Sequence, residues 1–238
     1  MVGNPIFNGQ SHGGNFFLFF SISYPYSGFI THRGFKTKSN KRFYHNPLKL
    51  YHKTSDINLS LLFLEHPPVY TTGRRDDPSN YGSIDVIKTE RGGDVTYHGP
   101  GQLVIYPILK IWEKEGKIDV RSFVVKLEGI VIKSLATFGF EASVGDEPGI
   151  WVGNGKEKKK VASMGLAIEN GVSYHGISIN IGKEVLEGFS RINPCGMDSS
   201  VMGYIEINRE DLIDVLISVF SEEFGTFEMK SLTTLWKS

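Results

Sequence analysis

The stretch Arg91-Gly92-Gly93-Asp94-Val95-Thr96-Tyr97-His98-Gly99-Pro100-Gly101-Gln102 runs without a break into Leu103-Val104-Ile105-Tyr106-Pro107-Ile108-Leu109. The second half reads as a strand, with Val104, Tyr106 and Ile108 on one face and Leu103, Ile105 and Leu109 on the other. Apolar residues on both faces place it in the middle of a sheet. The first half is too polar and too rich in glycine to be core. Its glycines let backbone approach a ligand closely and expose N–H groups to an oxygen. Arg91 and His98 add a fixed cation and a titratable donor. The plain alternative is a turn-rich connection with satisfied polar groups. So many functional side chains in twelve residues favour a ligand-binding loop.

Outward from this strand, residues 59–64 form a short apolar run closed by Pro67-Pro68, a buried strand, and residues 84–87 form another. Residues 120–138 carry an amphipathic stripe of Phe123, Val124, Leu127, Ile130, Val131 and Leu135. Asp119 stands at the capping position and Gly139 at the end, so a helix is predicted. A second helix is predicted over 209–224, with Leu212, Ile213, Leu216, Val219 and Phe220 on one side and Glu210 and Asp211 in the first turn. Strands are predicted at 150–152, 161–168 and 174–181. The last sets Ile177, Ile179 and Ile181 against Gly176, Ser178 and Asn180 on the opposite face. The expected class is α+β (mixed α/β): a single domain with a mixed central sheet flanked by helices.

Length and composition fit that picture. The 238 residues suit one domain or a domain plus an appendage, and 40% hydrophobic with 22% charged residues can bury one sizeable core. Lys and Arg balance Asp and Glu at 26 each, which gives no global attraction to nucleic acid. One cysteine excludes an internal disulfide framework and argues against a cysteine-based zinc site; no metal is expected. No apolar run reaches the ~18 residues of a membrane-spanning helix, and no membrane partner is expected.

Charge is uneven along the chain. Residues 1–55 contain no Asp or Glu, yet include Arg33, Lys36, Lys38, Lys41, Arg42, Lys49 and Lys53. An acid-free, basic, Ser-containing start has the composition of a transit segment, so mitochondrial or other organelle targeting is expected. Without a transit function the expectation is cytoplasmic. Phe16-Phe17-Leu18-Phe19-Phe20 is a weaker match to a secretory core, since no positive charge precedes it and no clean small-residue site follows. A non-native start is the remaining alternative. The chain therefore divides into an extension over 1–55 and a folded domain over 56–238.

Three further segments could carry chemistry. Lys160-Val161-Ala162-Ser163-Met164-Gly165 begins a strand after Lys156, Lys158 and Lys159. By spacing, Lys160 is a solvated strand end or a lysine aimed into a pocket. His175 keeps strand register with the isoleucines, as a core histidine would, while Gly176 and Ser178 leave room across the other face. Cys195 lies in Ile192-Asn193-Pro194-Cys195-Gly196. Free cysteine is usually a small buried hydrophobe. A turn between Pro and Gly instead exposes the sulfur, where nearby cations and N–H groups favour a reactive thiolate.

These segments occur in a fixed order with Glu65-His66-Pro67-Pro68-Val69-Tyr70-Thr71-Thr72-Gly73, Tyr106-Pro107 and Asn180. In that order they resemble the lipoyl(octanoyl) transferases, also called lipoate-protein ligase B, from about residue 59 to the end of the second helix. The resemblance implies a single mixed-sheet domain related to biotin and lipoate ligases. It implies that Cys195 carries the acyl group as a thioester and that Lys160 lowers the pKa of that thiol. It implies an acyl site lined by Arg91, Gly92, Gly93, Asp94, Val95, Thr96, Tyr97 and His98, by Ser163, Met164 and Gly165, and by His175, Gly176, Ile177 and Ser178. Family members normally open with a strand and an amphipathic helix, and residues 1–55 show no such helical periodicity.

The implied reaction moves an octanoyl or lipoyl group from octanoyl-acyl carrier protein to a lysine. The implied acceptors are lipoyl domains of 2-oxoacid dehydrogenase E2 subunits and the glycine cleavage H protein. The donor thioester is already activated, so no cofactor and no ATP are expected. Cysteine divides the reaction into two displacements. Two rivals stand beside it: an ATP-dependent lipoate or biotin ligase of the same fold, and a non-catalytic acyl- or carrier-binding protein. A thiol hydrolase fits less well, because no Cys-His-Asn pattern stands out.

Overall fold

The computed structural model describes residues 15–19, 59–111, 113–114, 117–145, 148–225 and 227–231. In chain order its strands begin with β1 (Asn15–Phe19), β2 (Leu59–Leu64), β3 (Val69–Thr72), β4 (Ile87–Lys88), β5 (Thr96–His98) and β6 (Gln102–Leu109). They continue with β7 (Glu113–Lys114), β8 (Lys117–Ile118), β9 (Ala142–Val144), β10 (Ile150–Val152), β11 (Lys159–Glu169), β12 (Val172–Asn180) and β13 (Phe227–Ser231). The helices are α1 (Val120–Ala136), α2 (Val185–Phe189) and α3 (Arg209–Phe224).

Eight strands make the main sheet in the order β13-β1-β2-β6-β12-β11-β10-β9. β1 runs parallel to both neighbours, and the remaining pairs are antiparallel, so the sheet is mixed and the class is α+β. All eight residues of β6 are buried, as its two apolar faces demand. Leu103, Ile105 and Leu109 join Ile177 and Ile179 in the main core against Leu127 and Ile130 of α1 and Leu216 and Phe220 of α3. Each fully buried side chain of this kind contributes roughly 1.5–3 kcal/mol.

The helices start where their caps dictate. The Asp119 carboxylate accepts the Ser122 N–H at 2.9 Å, and the Asn208 side chain accepts the Asp211 N–H at 3.1 Å. α1 stops at Ala136, two residues short of the predicted end, because the Phe138 and Gly139 N–H groups close a tighter turn on Leu135 and Ala136. Gly139 then leaves the helix at φ +82°.

A second, smaller layer consists of β4-β3-β5 with α2. Its own core is Val95, Tyr97, Val185, Phe189, Ile192 and Met202. Two sequence expectations change here. The strand predicted at 84–87 pairs only at Ile87–Lys88, because Ile84 and Val86 are turned into this second core. Residues 69–72, beyond the double proline, form β3, which pairs with both β4 and β5. The N-terminal segment contributes β1 to the main sheet; the rest of residues 1–55 lies outside the described residues.

One close approach sets the surface on which the site is built. Gly176 lies opposite Gly165 across the β11–β12 ladder. A methyl group at Gly176 would stand 2.2 Å from the Ile105 carbonyl oxygen, so β12 meets β6 there backbone to backbone. With two glycines side by side, β11 and β12 contribute no side chain of their own here, and Arg91 Cδ and Pro107 Cδ come within 3.0 and 2.5 Å of where their Cβ atoms would stand.

Leu127→Ala is expected to cost about 2–5 kcal/mol of unfolding free energy in urea titrations, through lost transfer energy and a residual cavity. Val125→Ala, 58% exposed two residues earlier on the same helix, is expected to change it by less than about 0.5 kcal/mol.

Candidate active site

A cavity of 300 Å³ lies where the small layer meets the main sheet. Its walls include Arg91, Gly92, Gly93, Thr96 and His98; Lys160, Ser163, Met164 and Gly165; His175, Gly176, Ile177 and Ser178; and Pro194 with Cys195. Val120, Val124 and Glu128, one i, i+4, i+8 ridge of α1, complete it. Asp94, Val95 and Tyr97 of the predicted lining are turned elsewhere. Val95 and Tyr97 fill the second core, where the Tyr97 ring meets Phe189 and Tyr70 at 5.8 and 5.2 Å. A groove of 510 Å³ between α1 and α3 is larger, but its walls, including Arg121, Ser122, Lys126, Lys133 and Glu223, hold neither the cysteine nor any of the glycine-rich segments singled out in the sequence.

Asp94 has a different task. Its buried carboxylate accepts the N–H groups of Val95 (2.7 Å) and Asp77 (3.2 Å), and the side-chain amide of Asn80. The Asn80 carbonyl in turn accepts the Asn193 N–H at 2.8 Å. Asp94 thus suspends the turn that carries Cys195. Arg91 is used similarly. Its guanidinium donates to the carbonyls of Thr71 (2.8 Å), Asp94 (2.8 Å) and Gly92 (3.0 Å), and to the Thr71 hydroxyl (3.0 Å). Burial pulls its pKa down to about 10, against the opposing charges of Cys195, Tyr106 and Asp94, so it remains a cation at neutral pH.

Cys195 is half-buried in the 3-10 turn Pro194–Gly196 and holds φ +57°. A left-handed conformation in a residue with a Cβ costs on the order of 1–3 kcal/mol, which the turn hydrogen bonds Gly196 N–H to Asn193 O (3.0 Å) and Met197 N–H to Pro194 O (3.2 Å) help hold.

Lys160 is only 3% exposed and faces the same cavity. Its neighbour Lys159 points outward and donates to the Ser200 carbonyl at 2.7 Å. The Lys160 carbonyl accepts the Gly203 N–H at 2.9 Å, fixing the strand end. Gly149, at φ +132°, lies against its stem: a methyl group there would stand 2.5 Å from Cε and 3.3 Å from Nζ. Gly149 drew no attention in the sequence. Its signal was a Pro-Gly pair directly before a strand.

His98 and His175 also line the cavity. Alternation along β12 assigns His175 to the isoleucine face, but φ +57° at His175 interrupts the pleat. Its ring instead meets Tyr106 edge-on at 5.9 Å, and Tyr106 belongs to the opposite face. Tyr106 shares a 2.9 Å hydrogen bond with His66 Nε2. The His66 ring is 5.4 Å from His98. His98 Nδ1 is 2.6 Å from Gln102 Oε1; Gln102 Nε2 donates to Asn180 Oδ1 at 2.9 Å; Asn180 Nδ2 donates to the Gly203 carbonyl at 2.8 Å. Burial holds His98 near pKa 4 and His66 well below its ordinary value, so both are neutral at pH 7. Among the described residues no group of three His, Cys, Asp or Glu is disposed to hold a metal ion.

The arrangement brings a thiol, a buried lysine and the Gly165–Gly176 pair into one small cavity. Such a site can attack a carbonyl and house a narrow apolar tail beside it.

Two outcomes follow for variants and pH. In Gly149→Ala the new methyl would press on the Ala162 carbonyl oxygen at 2.5 Å as well as on the Lys160 stem, at a φ that L residues avoid, so the unfolding free energy should fall by about 1–3 kcal/mol or more in urea titrations. Folded His98 refuses a proton that the unfolded chain accepts below about pH 6.5. Stability should therefore fall as pH drops from 6.5 to 4, by on the order of 3 kcal/mol from His98. Urea midpoints across that window should decline less in His98→Gln.

Residues 48–225 match the family model described as the lipoyl protein ligase A/B catalytic domain. A curated octanoyltransferase of Shewanella loihica is 42% identical over 174 residues, covering 69% of this chain and 77% of that protein. Another, of Methylococcus capsulatus, is 44% identical over 148 residues, covering 60% and 68%. Among solved structures, lipoate-protein ligase A bound with ATP aligns with a TM-score of 0.58 at 16% identity, over 73% of this chain and 76% of that one. A bipartite lipoate protein ligase of Thermoplasma acidophilum, solved in a study of that ligase and its E2 lipoyl domain, aligns at 0.55 and 15%, over 73% and 74%. At that identity the likeness establishes the fold alone. With three quarters of its length matched by the family model, the chain belongs to the lipoyl protein ligase A/B catalytic domain family.

Proposed function

We propose that this protein is an octanoyltransferase that takes an octanoyl group from acyl carrier protein onto Cys195 and passes it to a lysine of a lipoyl domain. The observation that carries this reading is the meeting of Cys195 and buried Lys160 in one cavity floored by Gly165 and Gly176. Relatives at 42–44% identity that are named octanoyltransferase support it.

In the first step the Cys195 thiolate attacks the donor thioester carbon. A C–S bond forms at Cys195, the donor C–S bond breaks, and the carrier thiol leaves. Exchange of one thioester for another is nearly thermoneutral. In the second step the acceptor lysine attacks, an amide replaces the thioester, and the reaction runs downhill without ATP. Lys160, which faces the same cavity, passes the Cys195 proton to the departing carrier sulfur in the first step and, as a neutral amine, takes one from the attacking nitrogen in the second. An octanoyl tail buried at ~0.8 kcal/mol per methylene gains roughly 5 kcal/mol. A 300 Å³ cavity, at the small end of the ~300–1,000 Å³ range of ligand sites, suits one such chain.

The acceptors in this reading are lipoyl domains of 2-oxoacid dehydrogenase E2 subunits and the glycine cleavage H protein. The acid-free, basic composition of residues 1–55 supports delivery to mitochondria or another organelle; imaging of those residues fused to a fluorescent protein tests that part.

Incubated with octanoyl-acyl carrier protein and no ATP, the wild type should gain one octanoyl group by intact mass, and Cys195→Ser none. Lys160→Ala should acylate about 10²-fold more slowly or worse. No adduct on the wild type overturns the thioester mechanism. Transfer that requires ATP and lipoate assigns the protein to the ligases instead. Normal turnover by Lys160→Ala removes only the lysine from the mechanism.

A further inference from the structure

The chain of side chains behind the cavity has a direction. It ends on the Gly203 carbonyl, which can only accept, so Asn180 must present its NH₂ there and its Oδ1 to Gln102. Gln102 must then present its NH₂ to Asn180 and its Oε1 to His98. A carbonyl oxygen facing Nδ1 requires Nδ1 to carry the hydrogen. One backbone oxygen thus settles both amide orientations and the histidine tautomer, which unanchored networks leave open. Gln102 and Asn180 are 0% and 2% exposed, so water does not compete for these bonds.

His98 lines the cavity, and with Nδ1 committed to Gln102 its free edge is Nε2, a lone pair with no hydrogen. The groups nearest it keep it so. Arg91 is a cation that opposes protonation, and the His66 ring beside it is itself neutral. The cavity therefore holds a hydrogen-bond acceptor that is the same at every pH from about 5 to 8.

An octanoyl chain carries no N–H or O–H for such an acceptor; the attacking amine does. We infer that Gln102 and Asn180 are positioning residues that hold His98 as the Nδ1–H tautomer, so that its bare Nε2 orients the acceptor lysine's nitrogen during the second step. This rests on the acyl-transfer reading above. The neutral amine has two hydrogens. As the C–N bond forms and the C–S bond breaks, the thiolate leaves with the electron pair. One amine proton passes through Lys160 to the sulfur. The other stays in the amide, and it is this surviving N–H that His98 Nε2 accepts. His98 aims the nitrogen and takes no proton.

Long-range proton–nitrogen NMR on the whole protein, with His98 assigned by its loss in His98→Gln, reads the tautomer without reference to activity. Nδ1–H with bare Nε2 from pH 5.5 to 8 is expected; Nε2–H overturns the inference. Gln102→Met removes the acceptor that holds Nδ1–H. Octanoylation of Cys195 should stay within about twofold, while transfer from preformed acyl-enzyme to a lipoyl domain falls about tenfold, the worth of one hydrogen bond. Gln102→Glu, which as the neutral acid favoured by full burial offers His98 its carbonyl oxygen and donates its O–H to Asn180 Oδ1, should restore both tautomer and transfer at pH 6. Unchanged transfer in Gln102→Met overturns the inference, as does a loss confined to acyl-enzyme formation, which would assign the Nε2 edge to an amide of the donor arm. Should Gln102→Met fail to fold, the wild-type tautomer and the Gln102→Glu transfer rate decide. Failure of the wild type to form any acyl-enzyme refutes the octanoyltransferase reading and leaves the tautomer result standing.

Discussion

The site hangs from two buried charges held mostly by backbone. Arg91 gathers the carbonyls of Thr71, Gly92 and Asp94, and Asp94 gathers the N–H groups of Val95 and Asp77 and the amide of Asn80. Loops cannot otherwise be buried, because their polar backbone groups lack the partners that helices and sheets supply. Charged hydrogen bonds are the strong kind, roughly twice a neutral one, and removing either partner leaves the other buried and uncompensated. Through Asn80 and Asn193 the same anchoring reaches Cys195, some hundred residues away in sequence. Cys195 is placed by a carboxylate that does not line the cavity.

This explains how a strained cysteine and a desolvated lysine persist together. The left-handed turn at Cys195 and the burial of Lys160 both oppose folding. They are held by elements that would fold regardless: the main core between β6, α1 and α3, and the second core around Val95, Tyr97 and Phe189. Lys160 leaves β11 where Gly203 and Gly149 fix its backbone and its stem. Loop and turn are bound to the small layer and the strand end to the main sheet, with the cavity between them.

Much of the fold was legible in the sequence, for physical reasons that can be named. β6 showed two apolar faces, and α3 showed both its stripe and its acidic first turn, so each was placed within a residue of its position. The cavity segments were legible as polar or glycine-rich interruptions of an apolar pattern. What could not be read was which side chains in a segment face the site. Asp94, Val95 and Tyr97 sit among lining residues in sequence, yet β5 alternates and the loop folds back, so they serve the scaffold. His175 was assigned to the wrong face because alternation assumes an unbroken pleat, and nothing local announces a positive φ at a histidine. The roles of Asn80 and Gly149 were unreadable for a simpler reason. Their partners lie far along the chain, and a long-range contact leaves no periodicity behind.

The central claim is that Cys195 receives the acyl group inside the glycine-floored cavity, with Lys160 beside the thioester. The most direct measurement is a crystal structure of the protein after reaction with octanoyl-acyl carrier protein. The account predicts density continuous with the Cys195 sulfur, the chain lying between Gly165 and Gly176 and the Arg91–Gly93 loop, and the Lys160 nitrogen within reach of the sulfur. An acyl group on another residue, or a chain lodged in the groove between α1 and α3, would contradict it.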